Sequence, residues 1–328
     1  DLYIAIEYYD EMKISSSLRK LLRILSEVKG YVYYSELYDL FCNLQLYYEK
    51  DEYVSNDYVE RYLKLLEVLD YEYLDLLRIL IYSKRKTESM CDVSKFNELI
   101  YKLNLESSKH DFMKINLLQI YYIQSKYLKM YELINTLEER FISKANHTRL
   151  LDVYNCAIIL VSNIDSEKVS SFIMKEEKLL ANMKVPPIKL SEVYSNLGTA
   201  YYVMKKYNEA LRSYETMINI YSVNFITNYI YMADCQNRLG LERSILIIDE
   251  DKYINAPDDI KIMYKYFLLS KDIPVFVKQN YIMKKVLPNL VDSELIDIFK
   301  FELNNLVKIS NHYKLLHLFN EYINEKKS

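Results

Sequence analysis

The chain is predicted to be all-α, a stack of antiparallel helix pairs, and three observations predict it. It holds only three glycines and five prolines among 328 residues, against ordinary usage of about 7% and 5%. Sheets turned by tight hairpins depend on glycine and Asn-Gly pairs, so few strands can be connected here. Apolar residues recur at helical spacing almost throughout. One mid-chain pattern also returns with a period of roughly 34 to 41 residues, the range of helical repeats.

Taken in order, the spacing predicts helices at about 2–13, 16–28, 31–49, 54–69, 71–84, 93–104, 109–125, 128–142, 148–162, 166–183, 189–204, 207–221, 224–239, 241–249, 257–269, 273–286, 291–309 and 312–325. Breaks fall at KISSS, EVKG, KDEYVSND, KRKTESMCD, SKANH, VSNIDSE, MKVPPIK, INAPDD and VDSE. Several of these supply an Asn, Asp or Ser where a helix N-cap is wanted. Short loops between such helices imply antiparallel pairs. No linker divides the chain into independent domains, and the expected organisation is a helical region at 1–108 continued by repeats at 109–328.

Hydrophobic residues make up 51% and charged residues 27%, with a net charge of −3. No bulk attraction to nucleic acid or an anionic membrane is expected from that balance. Cys42, Cys91, Cys156 and Cys235 are far apart and lie mostly in apolar helical patterns. They read as reduced, buried thiols of a cytoplasmic protein. No apolar run approaches the roughly 18 residues that span a bilayer, and no signal peptide precedes the first helix. The chain begins at Asp1, and the expectation is a fragment, or the ordered part, of something longer.

The stretch SEVYSNLGTAYYVMKKYNEALRSYETMINIY, from Ser191, resembles a tetratricopeptide repeat over its full length. Tyr194, Leu197, Gly198, Tyr201, Tyr207, Ala210 and Tyr214 occupy that motif's large and small places. Gly198 and Ala210 are small where the two helices of one repeat cross, and Tyr201 and Tyr214 fill the space beside that crossing. Degenerate copies align Leu117, Leu118, Tyr121, Tyr127 and Met130 upstream, and Tyr229, Met232, Ala233, Gly240 and Ile245 downstream. LLDVYNCAIIL and the terminal IDIFKFELNNLVKISNHYKLLHLF fit more loosely. The resulting expectation is a right-handed superhelix of TPR-like pairs, whose first helices line one concave surface.

In that frame the same groove place carries Asn116, Asn155 and Asn196 in three successive repeats, then Tyr231. Asparagine inside a helix costs several tenths of a kcal/mol relative to alanine, so its recurrence asks for a reason. An amide carries two donors and an acceptor, the set that grips both N–H and C=O of an extended peptide. Thr199, Tyr202, Asp234, Asn237 and Arg238 surround the row as candidate peptide-binding residues. Arg238 is suited to a peptide carboxylate and Asp234 to an amine or arginine. Against this stands the plain alternative that Asn often falls on solvated helix faces.

Other chemistry fails on inspection. His312 and His317 are five apart and share no helix face, so no metal site is expected. There is no Gly-rich phosphate loop, nucleophile elbow or triad spacing, so neither an enzyme nor a cofactor is expected. SKRK (83–86) is read as favourable charge at a helix end, and DED (249–251) as a solvated turn. The terminal YKLLHLFNEYI is apolar on one side, through Leu315, Leu316, Leu318, Phe319 and Tyr322, a natural dimerisation face for an end repeat.

A low-glycine, Tyr/Leu/Ile/Lys-rich repeat stack with asparagines along its groove resembles the peptide-pheromone receptors of low-GC Gram-positive bacteria. That group comprises the Rap, NprR, PlcR, PrgX and Rgg-type proteins and the arbitrium receptors of temperate phages. The run from EYYDEMKISSSLRKLLRILSEVKG to KLLHLFNEYI looks most like an arbitrium (AimR-like) receptor. The resemblance implies a quorum-sensing, lysis–lysogeny type of regulator that binds a short linear signalling peptide. It also implies homodimerisation through C-terminal helices, and DNA binding through an N-terminal helix-turn-helix absent from these residues. A Rap-like inhibitor or phosphatase of a response regulator is the alternative, distinguished by a three-helix bundle before Asp1. A TPR scaffold for other proteins is the third reading, though a carboxylate clamp would need Lys or Arg where Ser195, Thr199 and Tyr154 stand.

Overall fold

Tyr9 and Asp10 show how the chain turns from one helix into the next. In this computed structural model α1 (Leu2–Tyr8) ends on Tyr9, which takes the left-handed conformation at φ 52°, and the Asp10 side chain accepts the Lys13 N–H at 3.1 Å. That N-cap opens α2 (Glu11–Val28). The expected break at KISSS is therefore absent: a carboxylate cap beside a left-handed residue stops a helix, whereas the three serines ride inside α2, with Ser17 buried.

The structure describes residues 1–50, 61–62, 64, 105–108, 110–220, 226–241, 253, 256–269, 272–290 and 293–327. After α3 (Val32–Lys50) come α4 (Asp111–Ile123), α5 (Tyr127–Ser143), α6 (His147–Ser162), α7 (Ser166–Leu180), α8 (Pro187–Val203), α9 (Tyr207–Ile220) and α10 (Ile226–Arg238). They are followed by α11 (Asp258–Phe267), α12 (Val275–Tyr281), α13 (Ser293–Ser310) and α14 (Lys314–Lys327). No strand occurs among the described residues, and no described helix is long and apolar enough to cross a membrane. The all-α, paired-helix expectation holds. Expected helices at 54–69 (residues 61, 62 and 64 apart), 71–84, 93–104 and 241–249 (residue 241 apart) lie outside the described residues, as do SKRK, DED, Cys91 and Ile245. The helix expected at 273–286 continues past α12 only as a π-helical turn, Ile282–Val286, and a 3-10 turn, Leu287–Asn289.

Two compact units form, one from residues up to Val193 and one from Tyr194 onward. The division falls inside α8. No loop marks it, which is why the sequence shows no linker there.

In the first unit α4 packs on both α5 and α6, and α6 packs on α7. This is the arrangement of stacked hairpins, in which first helices neighbour one another. Its core runs through Leu118, Met130, Ile134, Leu137, Phe141, Leu151, Ala157, Ile158 and Val161, all at most 0% exposed. The seven-residue α1 is too short to stand alone and is held by its C-terminal carbonyls. Arg149 of α6 donates to the Ile6 and Glu7 carbonyls, and Asn146 Nδ2 donates to Glu7 O at 2.9 Å. These carbonyls lie in the last turn of α1, where a cation is favoured, and Ile6 O also accepts the Tyr9 N–H at 3.1 Å. Arg149 further pairs with Asp152 at 2.8 Å and lies over the Tyr9 and Phe112 rings. Arg149→Met keeps the aliphatic volume but leaves those carbonyls without their cation. It is expected to cost about 3 kcal/mol and to abolish amide-exchange protection in 2–8 while α6 stays protected; unchanged protection of α1 would refute this.

In the second unit the core gathers Tyr214, Met217, Ile226, Ile230, Cys235, Met263, Ile298, Phe299, Leu303 and Phe319. Here the small place of the repeat has a definite partner. A Cβ on Gly198 would lie 2.6 Å from Cε1 of Tyr214, a residue with no exposed surface. Ala210, on α9, is also fully buried.

The repeat frame is visible in the turns. Ser125, Lys205 and Gly240 stand nine residues beyond Asn116, Asn196 and Tyr231, and all three have positive φ, at 54°, 60° and 68°. Each following N–H closes the helix by bonding back to the same place: Lys126 to Tyr121, Lys206 to Tyr201 and Leu241 to Gln236, each at 2.8 Å. Only Gly240 meets the left-handed requirement with glycine, so two of the three turns carry no sequence signal. The Asn155 repeat ends otherwise. There Asp165 caps α7, accepting from the Glu167 and Lys168 N–H groups at 3.1 Å.

Candidate functional site

The three asparagines are half-buried, on α4, α6 and α8. Asn116 donates from Nδ2 to the Met113 carbonyl in its own helix at 3.0 Å. Asn116 and Asn155 belong to the first unit and Asn196 to the second. On α8, Thr199 is half-buried and tethered: its hydroxyl donates to Ser195 O at 3.1 Å and shares a 3.1 Å hydrogen bond with the Tyr214 hydroxyl. Ser195 Oγ donates to Asn228 Oδ1 at 3.2 Å, tying α8 to α10.

The remaining candidates stand behind that surface. Tyr202, Tyr231 and Asp234 are 3%, 8% and 0% exposed, so none is presented to a ligand. The Tyr231 ring stacks on Tyr214, with centroids 6.1 Å apart and planes 8° from parallel, and meets the edge of Tyr202 at 5.0 Å. It takes the asparagine place in its repeat but serves the core. Asp234 Oδ2 accepts from the Tyr202 hydroxyl and from Arg238 Nε. Burial pushes the Asp234 carboxyl up to about 6 against the pull of these donors. Burial and the adjoining carboxylate likewise raise the Tyr202 hydroxyl far above its usual range.

Arg238 is committed within the unit. Nη1 donates to the Tyr207 hydroxyl at 2.9 Å and Nη2 to Asp297 at 2.8 Å, and the guanidinium lies over the Tyr207 and Phe301 rings. It therefore joins α8, α9, α10 and α13 rather than waiting for a peptide carboxylate. Asn237 donates to Glu302 on α13, and the Tyr266 hydroxyl donates to the other Glu302 oxygen at 2.7 Å.

Glu302, Tyr266 and Asp297 were not among the residues expected to matter. One signal existed: Glu302, Asn305, Leu306 and Ile309 are spaced to share one face of α13. In the first unit the corresponding omission is Asp152. It pairs with both Arg149 and Lys189, and although burial opposes it, these two cations hold its carboxyl below the usual carboxylate range.

At the C-terminus Leu315, Leu316 and Tyr322 pack against the second unit's core, Phe319 is 1% exposed within it, and Leu318 is 41% exposed. Among the described residues no group of three or more His, Cys, Asp or Glu side chains is placed to hold a metal ion. No family model, curated protein or solved structure matches the chain.

Proposed function

We propose that the chain is the ligand-sensing part of a cytoplasmic, peptide-responsive transcription regulator of the quorum-sensing or arbitrium type. The observation that carries this reading is the recurrence of asparagine at one place of equivalent helices. Asn116 and Asn196 each stand nine residues before a left-handed residue that closes their helix, which supports reading them as one place of the repeat. Being half-buried, they keep part of each side chain within a ligand's reach. Asn196 and Thr199 are the candidate ligand contacts within the second unit, and Asn116 and Asn155 are candidates within the first. Tyr202, Tyr231, Asp234 and Arg238 form the rigid backing that holds α8 and α10 in register.

A peptide shifts the receptor only by its differential affinity for two arrangements. In this reading the shift is transmitted through a homodimer to DNA-binding domains outside these residues. The dimer contact draws on Leu318 and the outer edges of Leu315, Leu316 and Tyr322, since Phe319 is spent in its own core.

A thermal-shift screen against free linear peptides of five to eight residues tests the reading. A ligand at a hundred times its Kd stabilises by about 2.7 kcal/mol, which moves the melting point by several degrees in a chain this size. A hit that Asn196→Ala weakens at least tenfold without lowering the melting point of the free protein is the expected result. A flat screen with well-folded protein would favour a scaffold that recognises whole proteins.

A further inference from the structure

Helices α1, α2 and α3 meet around a pocket of about 410 Å³ in the first unit, built from residues that the proposed peptide surface does not use. Small-molecule pockets run from about 300 to 1,000 Å³, with mostly apolar walls and a few placed polar groups. Here the apolar walls are Leu2 of α1, Leu21 and Ile24 of α2 and Phe41 of α3. Leu2 and Phe41 are each 8% exposed and Ile24 is 62% exposed, so the walls run from the core out to solvent. An apolar cavity of about 150 Å³ takes one benzene, and by that measure this pocket has room for roughly 16 non-hydrogen atoms.

The polar groups narrow the chemistry. Ser17, Lys20, Leu21 and Ile24 are spaced three and four apart, so α2 brings them to one face. Ser17 is 9% exposed, and among the described residues its hydroxyl has no hydrogen-bond partner. A serine inside a helix ordinarily turns its hydroxyl back to a carbonyl three or four residues earlier. Ser26, Thr136 and Ser213 do so, donating to the Arg23, Glu132 and Glu209 carbonyls. Ser17 is left with a free donor beside the pocket it lines. Lys20 is equally uncommitted. The places one turn from it on α2 hold Ser16, Ser17, Arg23 and Ile24, none of them acidic. The Glu49 carboxylate goes to Arg19 at 2.8 Å, and among the described residues no carboxylate pairs with Lys20. Asp1, exposed and without a side-chain cap bond, is the pocket's one acid and opposes an occupant of high negative charge. An ammonium and a hydroxyl offer a donor to each oxygen of a carboxylate, and too few for a phosphate.

We propose that this pocket binds a hydrophobic monocarboxylate. Its carboxylate lies between Lys20 and Ser17, and a chain of about eight to twelve carbons lies against Leu2, Leu21, Ile24 and Phe41. The proposal rests on the first unit alone and stands whether or not Asn196 binds a peptide.

Calorimetric titration of the full chain with hexanoate, octanoate, decanoate and dodecanoate, and with decanol and decylamine, tests it. Saturable one-site binding is expected, tightening by up to about fourfold per added methylene and levelling off once the pocket is filled. Decanoate is expected to bind more tightly than decanol, and decylamine the most weakly of the three. Lys20→Met keeps the aliphatic stem and loses the charge, so decanoate affinity is expected to fall about three- to fivefold while decanol affinity is unchanged. Ile24→Glu, at an exposed position that does not threaten folding, sets a like charge in the wall and is expected to weaken decanoate by about tenfold or more. Lys206→Met makes the same change of net charge in the second unit and is expected to bind as the parent does. The proposal falls if no acid binds at about 1 mM, if decylamine binds as tightly as decanoate, or if Lys20→Met and Ile24→Glu both bind as the parent does. Decanoate binding that Lys206→Met weakens as much as Lys20→Met would be general charge attraction and would equally remove the site.

Discussion

Gly198→Ala is expected to destabilise the second unit, by up to about 2 kcal/mol, although alanine is the better helix former. Removing glycine from a helix interior returns roughly 1 kcal/mol. The added methyl, however, would sit 2.6 Å from Cε1 and 2.8 Å from Cδ1 of Tyr214, and overpacking a close-fitted core costs about 1–3 kcal/mol. The ring has nowhere to go: it is fully buried, stacked on Tyr231, and its hydroxyl shares a hydrogen bond with Thr199. Gly198→Leu adds three more carbons to the same clash and is expected to prevent the unit from folding. Gly30→Ala is the control, because nothing lies within 4 Å of its added methyl; a gain of a few tenths to 1 kcal/mol is expected there. Two units make a single global transition an unsafe readout, so the measurement is amide exchange in α9 and α10. Protection that rises in Gly198→Ala would mean the Tyr214 ring shifts freely, and the small-residue crossing would not be what sets this helix pair.

The same residue marks how far the sequence could be read. A glycine inside an apolar helical run is conspicuous in a chain with three of them, so the crossing at Gly198 was legible, and so were the helices around it. The identical turns at Ser125 and Lys205 were not, because a serine and a lysine at positive φ carry no local signature. The start of α2 was misplaced for a related reason: one aspartate cap outweighs a serine cluster that looks like a loop. The division inside α8 left no trace, since a continuous helix needs no linker composition.

Legibility of the candidate site ran the other way. Helical spacing identifies which residues share a face, but whether that face meets solvent or another helix depends on the stacking. Asn196 and Thr199 stayed accessible, whereas Tyr202 and Asp234, one turn further along their helices, fell behind the neighbouring helix. Polarity patterns place Asp, Glu and Arg outside by default, so a network such as Tyr202–Asp234–Arg238–Asp297 is invisible until the helices are packed. Its members are read as binding residues from the sequence because the same donors and acceptors serve both purposes.

Glu176 is the sharpest case of this reversal and carries the strongest pH dependence expected among the described carboxyl groups. It lies on α7 among Val169, Phe172 and Ile173, with no exposed surface, and neither carboxyl oxygen has a hydrogen-bond partner. Burial, with a smaller contribution from Glu177, pushes its carboxyl from 4.5 up to about 8, against the opposing pull of Lys189. The folded chain therefore keeps a proton that the unfolded chain releases above pH 4.5. Stability is fully present below that pH and falls as the pH rises towards 8, by about 1.4 kcal/mol per unit. At pH 7 the accumulated loss is about 3 kcal/mol. Glu176→Gln keeps the shape and a buried polar group but cannot ionise, so it is expected to match the parent near pH 4.5 and to exceed it by about 3 kcal/mol at pH 7. Glu176→Met removes the polar group as well and is expected to be the more stable at both. Denaturation of the three proteins from pH 4.5 to 8, followed by exchange protection in α7, separates charge from polarity. Parent and Glu176→Gln curves that stay parallel would show that Glu176 ionises in place, with Lys189 drawn over to it from Asp152. A widening gap would show a carboxyl that stays neutral at physiological pH because its helix has nothing else to offer it.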